Sequence, residues 1–137
     1  MVRLRIWTFT TENETLIAIR KSREKRVLKE VLERNFGGVI VCDGWKSYSS
    51  FTSRIQRCWA HLLREAEYLA ERIEEAKPLS QSRHELYRRI NIPPEEAARL
   101  VEAAKAEMLR LTSEPYRSEE VRRFAVQIRN GIDHWFT

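Results

Sequence analysis

Residues 38–44, Gly38-Val39-Ile40-Val41-Cys42-Asp43-Gly44, set four consecutive apolar residues rich in β-branching directly before a carboxylate and a glycine. Such a run suits a strand covered on both faces, as the parallel strands of α/β sheets are. Asp43 then falls at the carboxyl end of that strand. Ligands collect just beyond the carboxyl ends of strands in open α/β sheets, so an acid there is placed to hold a metal or a substrate. An Asp-Gly pair is also ordinary turn chemistry, and the local residues leave both readings open.

The flanking segments predict an α/β beginning. Arg3 to Phe9 alternates, with Leu4 and Ile6 on one face and Arg3, Arg5, Trp7 and Phe9 on the other. Thr15 to Arg20 reads as a second strand of an antiparallel hairpin. Ser22 is a candidate cap for a helix carrying Val27, Leu28, Val31 and Leu32 on one face, with Arg23, Lys25, Arg26, Lys29 and Arg34 solvated. Asn35, Gly37 and Gly38 are expected to stop it. Beyond Gly44, Trp45, Tyr48 and Phe51 share one side of a short helix, a spacing more typical of core packing than of base stacking. Ile55 to Ala60 reads as a further strand leading to His61.

From His61 the pattern becomes helical. Leu62, Leu63, Ala66, Leu69, Ala70 and Ile73 mark one amphipathic helix, expected to end at Pro78. Leu86, Tyr87 and Ile90 mark a second, and Pro93-Pro94 divides it from a third with Ala97, Leu100, Val101, Ala104, Met108 and Leu111. A fourth, capped by Ser118, carries Val121, Phe124, Ala125, Ile128, Ile132 and Trp135. Residues 1–77 are therefore expected to form an α/β region and residues 78–137 an α-helical insertion or bundle packed on it.

Composition narrows the function classes. The 137 residues are about one domain's worth, with one core expected. No apolar run approaches the roughly 20 residues of a membrane span, and the amino terminus lacks a secretory pattern, so the expected compartment is the cytoplasm. A formal charge of +5 favours polyanions such as nucleic acid. Aspartate occurs only at positions 43 and 133, while glutamate fills the helical segments. Four glycines and no paired CxxC exclude phosphate-cradling loops and structural zinc motifs. Cys42 and Cys58 read as small core residues, and His84 and His134 as surface side chains.

Three stretches carry a family resemblance: Trp7-Thr8-Phe9-Thr10 with its hairpin, Val41-Cys42-Asp43-Gly44-Trp45-Lys46-Ser47-Tyr48, and Arg57-Cys58-Trp59-Ala60-His61-Leu62-Leu63-Arg64-Glu65. They resemble the catalytic region of transposases of the insertion-sequence-66 family. The resemblance implies an RNase H-like mixed sheet of hairpin plus parallel strands, followed by helices, and DNA transposition by metal-dependent strand cleavage and transfer. It makes Asp43 the second carboxylate of a DDE triad and a ligand of Mg²⁺ or Mn²⁺. Paired ions of this kind activate a water or a DNA 3′-hydroxyl and stabilise the leaving oxygen. Lys46, Arg57, His61 and Arg64 become candidate DNA contacts.

The family's first Asp precedes the Trp-x-Phe hairpin, and its Glu follows an Asn-Asn-x-x-Glu-Arg-like segment. Neither occurs in this sequence, so the expectation is a fragment truncated at both ends and inactive in isolation. The alternative is a non-catalytic DNA-binding or self-association module derived from a transposase. In the implied sheet the absent strand sits between the hairpin and the Asp43 strand. Either the hairpin's first strand then pairs with the Asp43 strand, or another chain takes the open edge.

Overall fold

The alternating segment Arg5–Thr10 (β1) pairs antiparallel with Thr15–Arg20 (β2), in a register that sets Trp7 opposite Ala18 and Ile6 opposite Ile19. Period-2 geometry then puts Trp7, Phe9 and Ala18 on one face, and that face is the buried one. It packs against Val27 and Leu28 of α1 (Lys25–Leu32), with Tyr48 and Phe51 completing the cluster. The chain, described here from a computed structural model at residues 3–33, 35–89 and 94–137, divides into two compact units, 1–55 and 56–137. Each has its own apolar cluster, where composition alone suggested a single core.

In the first unit β3 (Ile40–Cys42) is followed by the short helix α2 (Lys46–Ser49) and by β4 (Ile55–Arg57), which crosses into the second unit. β3 and β4 form a two-stranded parallel sheet, entered by the Ile40 N–H donating to the Arg54 carbonyl at 3.0 Å. The hairpin is a separate two-stranded sheet. Direct pairing of the hairpin's first strand with the Asp43 strand, one of the two arrangements expected, is therefore not formed.

β3 is also not covered on both faces. Cys42 is buried and Ile40 half-buried, but Val41 is 69% exposed. With one hydrogen-bonded neighbour and side chains alternating across the strand, only the Ile40/Cys42 side finds a cover. The same holds for the hairpin, whose second face leaves Leu4, Ile6, Ile17 and Ile19 exposed. Ser22 does not cap α1 by side chain in the expected position: its hydroxyl accepts the Glu24 N–H, and the helix starts at Lys25. It ends at Leu32, before Asn35, while Arg34 lies outside the described residues.

The second unit consists of α3 (Trp59–Arg72), a 3-10 turn at Glu74–Ala76, α4 (Lys77–Arg89), α5 (Pro94–Thr112), α6 (Glu119–Asn130) and a terminal 3-10 turn at Ile132–Trp135. Leu62, Leu69, Leu79, Met108, Val121, Phe124 and Ile128 make its core. Pro78 begins a helix instead of ending one. In the first turn its missing N–H leaves no helical bond unmade, so proline is tolerated there. Ser118 caps α6 as expected, accepting the Val121 N–H at 3.4 Å. Ile132 and Trp135 belong to the terminal 3-10 turn and not to that helix. The expected helical position Ile90 and the break at Pro93 lie outside the described residues.

Candidate active site around Asp43

Asp43 is the first residue after β3, half-buried, at the carboxyl end of a strand as the sequence predicts. Its Oδ1 accepts the Trp45 N–H at 2.9 Å, which closes an Asx-type turn. Oδ2 has no hydrogen-bond partner among the described residues. Two further donors tie the same loop to the chain entering α1. The Trp45 indole N–H and the Ser47 hydroxyl both donate to the Arg23 carbonyl, at 3.2 and 2.6 Å. The Arg23 guanidinium lies over the Trp45 ring, 4.6 Å from its centroid. Tyr48 packs edge-on to Trp7, and burial first, then the neighbouring charges of Asp43 and Cys42, push its phenol above the ordinary range.

Trp45, Tyr48 and Phe51 thus part company. Tyr48 and Phe51 join the core of the first unit, as an aromatic stripe at helical spacing suggests. Trp45 remains 46% exposed. Sequence reasoning missed Arg23, because its approach to Trp45 depends on a tertiary fold spanning 22 residues.

Of the candidate DNA contacts, Lys46 is exposed at the start of α2, in the same unit as Asp43. Arg57, His61 and Arg64 belong to the second unit. Arg57 is half-buried, its guanidinium 5.7 Å from the Trp135 ring centroid and its Nε buried without a partner. His61 stands in the first turn of α3 and not at the end of a strand, because β4 stops at Arg57 and the His61 N–H donates to the Cys58 carbonyl at 3.1 Å. A short apolar run such as Cys58-Trp59-Ala60 does not distinguish strand from helix by periodicity. His61 and Arg64, both exposed, fall one turn apart on α3.

Cys42 is buried and Cys58 half-buried. His84 is half-buried, its Nε2 2.9 Å from the exposed Glu67 carboxylate. His134 is half-buried with an unpartnered Nδ1.

Among the described residues no group of three or more His, Cys, Asp or Glu side chains stands close enough to hold a metal ion. Mg²⁺ demands near-octahedral oxygen coordination and commonly takes one or two carboxylates plus phosphates and waters. Among the described residues Asp43 brings one carboxylate toward such coordination.

The sequence model of the transposase IS66 family matches residues 1–132, nearly the whole chain. The chain belongs to the IS66 transposase family. Neither the curated proteins nor the solved structures hold a match to it. For an IS66-family chain the loop around Asp43 is the natural focus, since its Asp-Gly-Trp-Lys-Ser-Tyr block is one of those that carry the resemblance. No helix among the described residues is long and apolar enough to cross a membrane.

Proposed function

We propose that this chain is part of an RNase H-like DDE transposase core, acting on DNA at transposon ends, in which Asp43 contributes one carboxylate to a divalent-cation centre that residues 1–137 do not assemble alone. The polypeptide by itself is then catalytically silent. The observation carrying this reading is the position of Asp43: directly beyond a strand, half-buried, with one oxygen held by the Trp45 N–H and the other unbonded among the described residues. Residues 1–77 constitute the partial RNase H-like region and 78–137 a helical insertion. That is a division of descent and not of packing, since the compact units part between Ile55 and Gln56.

Nicking of supercoiled DNA in Mg²⁺ or Mn²⁺ tests the proposal. The expected result is salt-sensitive DNA binding with no nicking by the wild-type polypeptide or by Asp43→Asn. Nicking that disappears in Asp43→Asn would show a centre assembled by the chain itself and would overturn the claim of silence.

A self-association module is the second reading, favoured by the exposed aliphatic face of the hairpin. A two-fold contact sets the same patch against itself, so an aliphatic face is chemically self-complementary, and the outer edges of a two-stranded sheet can pair as well.

A further inference from the structure

We infer that Trp45 and Arg23 form a stacking platform for an unpaired base of single-stranded DNA beside Asp43. The inference rests on reading the chain as a DNA-processing protein, and it goes beyond that reading by assigning a binding site for a particular form of DNA. Trp7 and Trp135 are buried, each less than a tenth exposed, whereas nearly half of the Trp45 surface is open. An indole so exposed is usually free to swing, but this one is held by its N–H to the Arg23 carbonyl and by its backbone N–H to Asp43. Its orientation is therefore fixed before any ligand arrives, which lowers the ordering cost of binding.

The charge pattern points the same way. Arg23 makes no ion pair with a carboxylate among the described residues, and neither does the adjacent exposed Lys46. A guanidinium stacked on indole and left without a counter-charge offers N–H donors to a phosphate while the ring offers its π-surface to a base. Aromatic platforms flanked by cations bind single strands with little sequence preference, because every base has a π-face. A continuous duplex keeps its bases stacked on one another and offers none to the ring. The loop holding the platform also carries Asp43, so a base seated there brings its phosphates to the carboxylate proposed to share a cation.

The test is fluorescence anisotropy of a labelled oligothymidylate and of a labelled duplex, with the full chain and with EDTA present. The chelator separates the platform from the metal reading, which the nicking experiment addresses. Trp45→Ala is expected to weaken single-strand binding by about 5- to 100-fold and duplex binding by less than about 2-fold. Trp45→Phe keeps an aromatic face but loses the indole N–H, and is expected to bind within about 3-fold of wild type. Arg23→Gln is expected to lower the slope of log affinity against log salt by about 0.7. Unchanged single-strand affinity in Trp45→Ala would overturn the platform. So would equal losses in Trp45→Ala and Trp45→Phe, which would assign the effect to the loop's tether and not to the ring.

Discussion

Arg83 carries its charge into the core of the helical unit. It is 1% exposed, donates Nη1–H to the Leu79 carbonyl at 2.7 Å, and lies 5.2 Å from the Phe124 ring centroid, while Nε and Nη2 find no partner. Burial draws its pKa well below the ordinary arginine range, to about 10, so at neutral pH the side chain stays protonated at a cost. With each unit worth about 1.36 kcal/mol, that cost is on the order of 3 kcal/mol. Arg83→Met, which keeps the length and removes the charge, is expected to raise the unfolding free energy by roughly 1–3 kcal/mol in urea titrations. A loss of stability would show that the contact with Phe124 outweighs desolvation. The sequence carried a signal for this burial: position 83 follows Leu79 by four and precedes Leu86 by three, on the apolar face of α4. Asp43 was legible for a different reason, since an apolar run ending on an acid is a local pattern. The tie of its loop to the Arg23 carbonyl, through Trp45 and Ser47, was not legible, because the fold brings those residues together.

At the level of elements, α6 shows what local signals can and cannot give. Ser118 and the acidic pair Glu119 and Glu120 form a complete N-terminal pattern within one turn, and the helix starts there. Glu75, 43 residues before Ser118, adds what no local rule could supply. Its carboxylate accepts the backbone N–H groups of Arg117 at 3.0 Å and Ser118 at 2.5 Å, fastening the 3-10 turn to the entry of α6. These bonds favour the ionised form and hold its pKa below the ordinary 4.5. A carboxylate whose folded pKa is lowered stabilises the fold above its unfolded value and loses that contribution as pH falls through the folded one. Urea midpoints measured across this window are expected to fall on acidification, with Glu75→Gln less stable at pH 7 and less sensitive to acid. An identical pH profile in both proteins would remove Glu75 from the account. Pro78 and Cys58-Trp59-Ala60 misled for a related reason: proline marks a helix start as readily as an end, and a short apolar run fits either element.

For the molecule as a whole, the hairpin face of Leu4, Ile6, Ile17 and Ile19 is the feature most at odds with an isolated life in water. Ile6 is 71% exposed, and contiguous aliphatic patches of this kind mark surfaces that associate. Sedimentation equilibrium is expected to show concentration-dependent association of the wild type, reduced by about tenfold or more in affinity when Ile6 and Ile19 are both changed to Thr. Threonine keeps the β-branching the strands use, so a monomeric wild type would count against the second reading without ambiguity from misfolding. The α/β beginning, the antiparallel hairpin and the helical remainder were readable from periodicity. The division at residue 55 was not, because β4 reads as a single strand and composition does not change across it. The central claim, that Asp43 presents a carboxylate able to share a divalent cation, is tested most directly by titrating Mn²⁺ into the isotopically labelled chain and following paramagnetic broadening of its amide resonances. The expected result is selective broadening at Asp43, Gly44 and Trp45, lost in Asp43→Asn; broadening that spares this loop, or that persists unchanged in the variant, would contradict it.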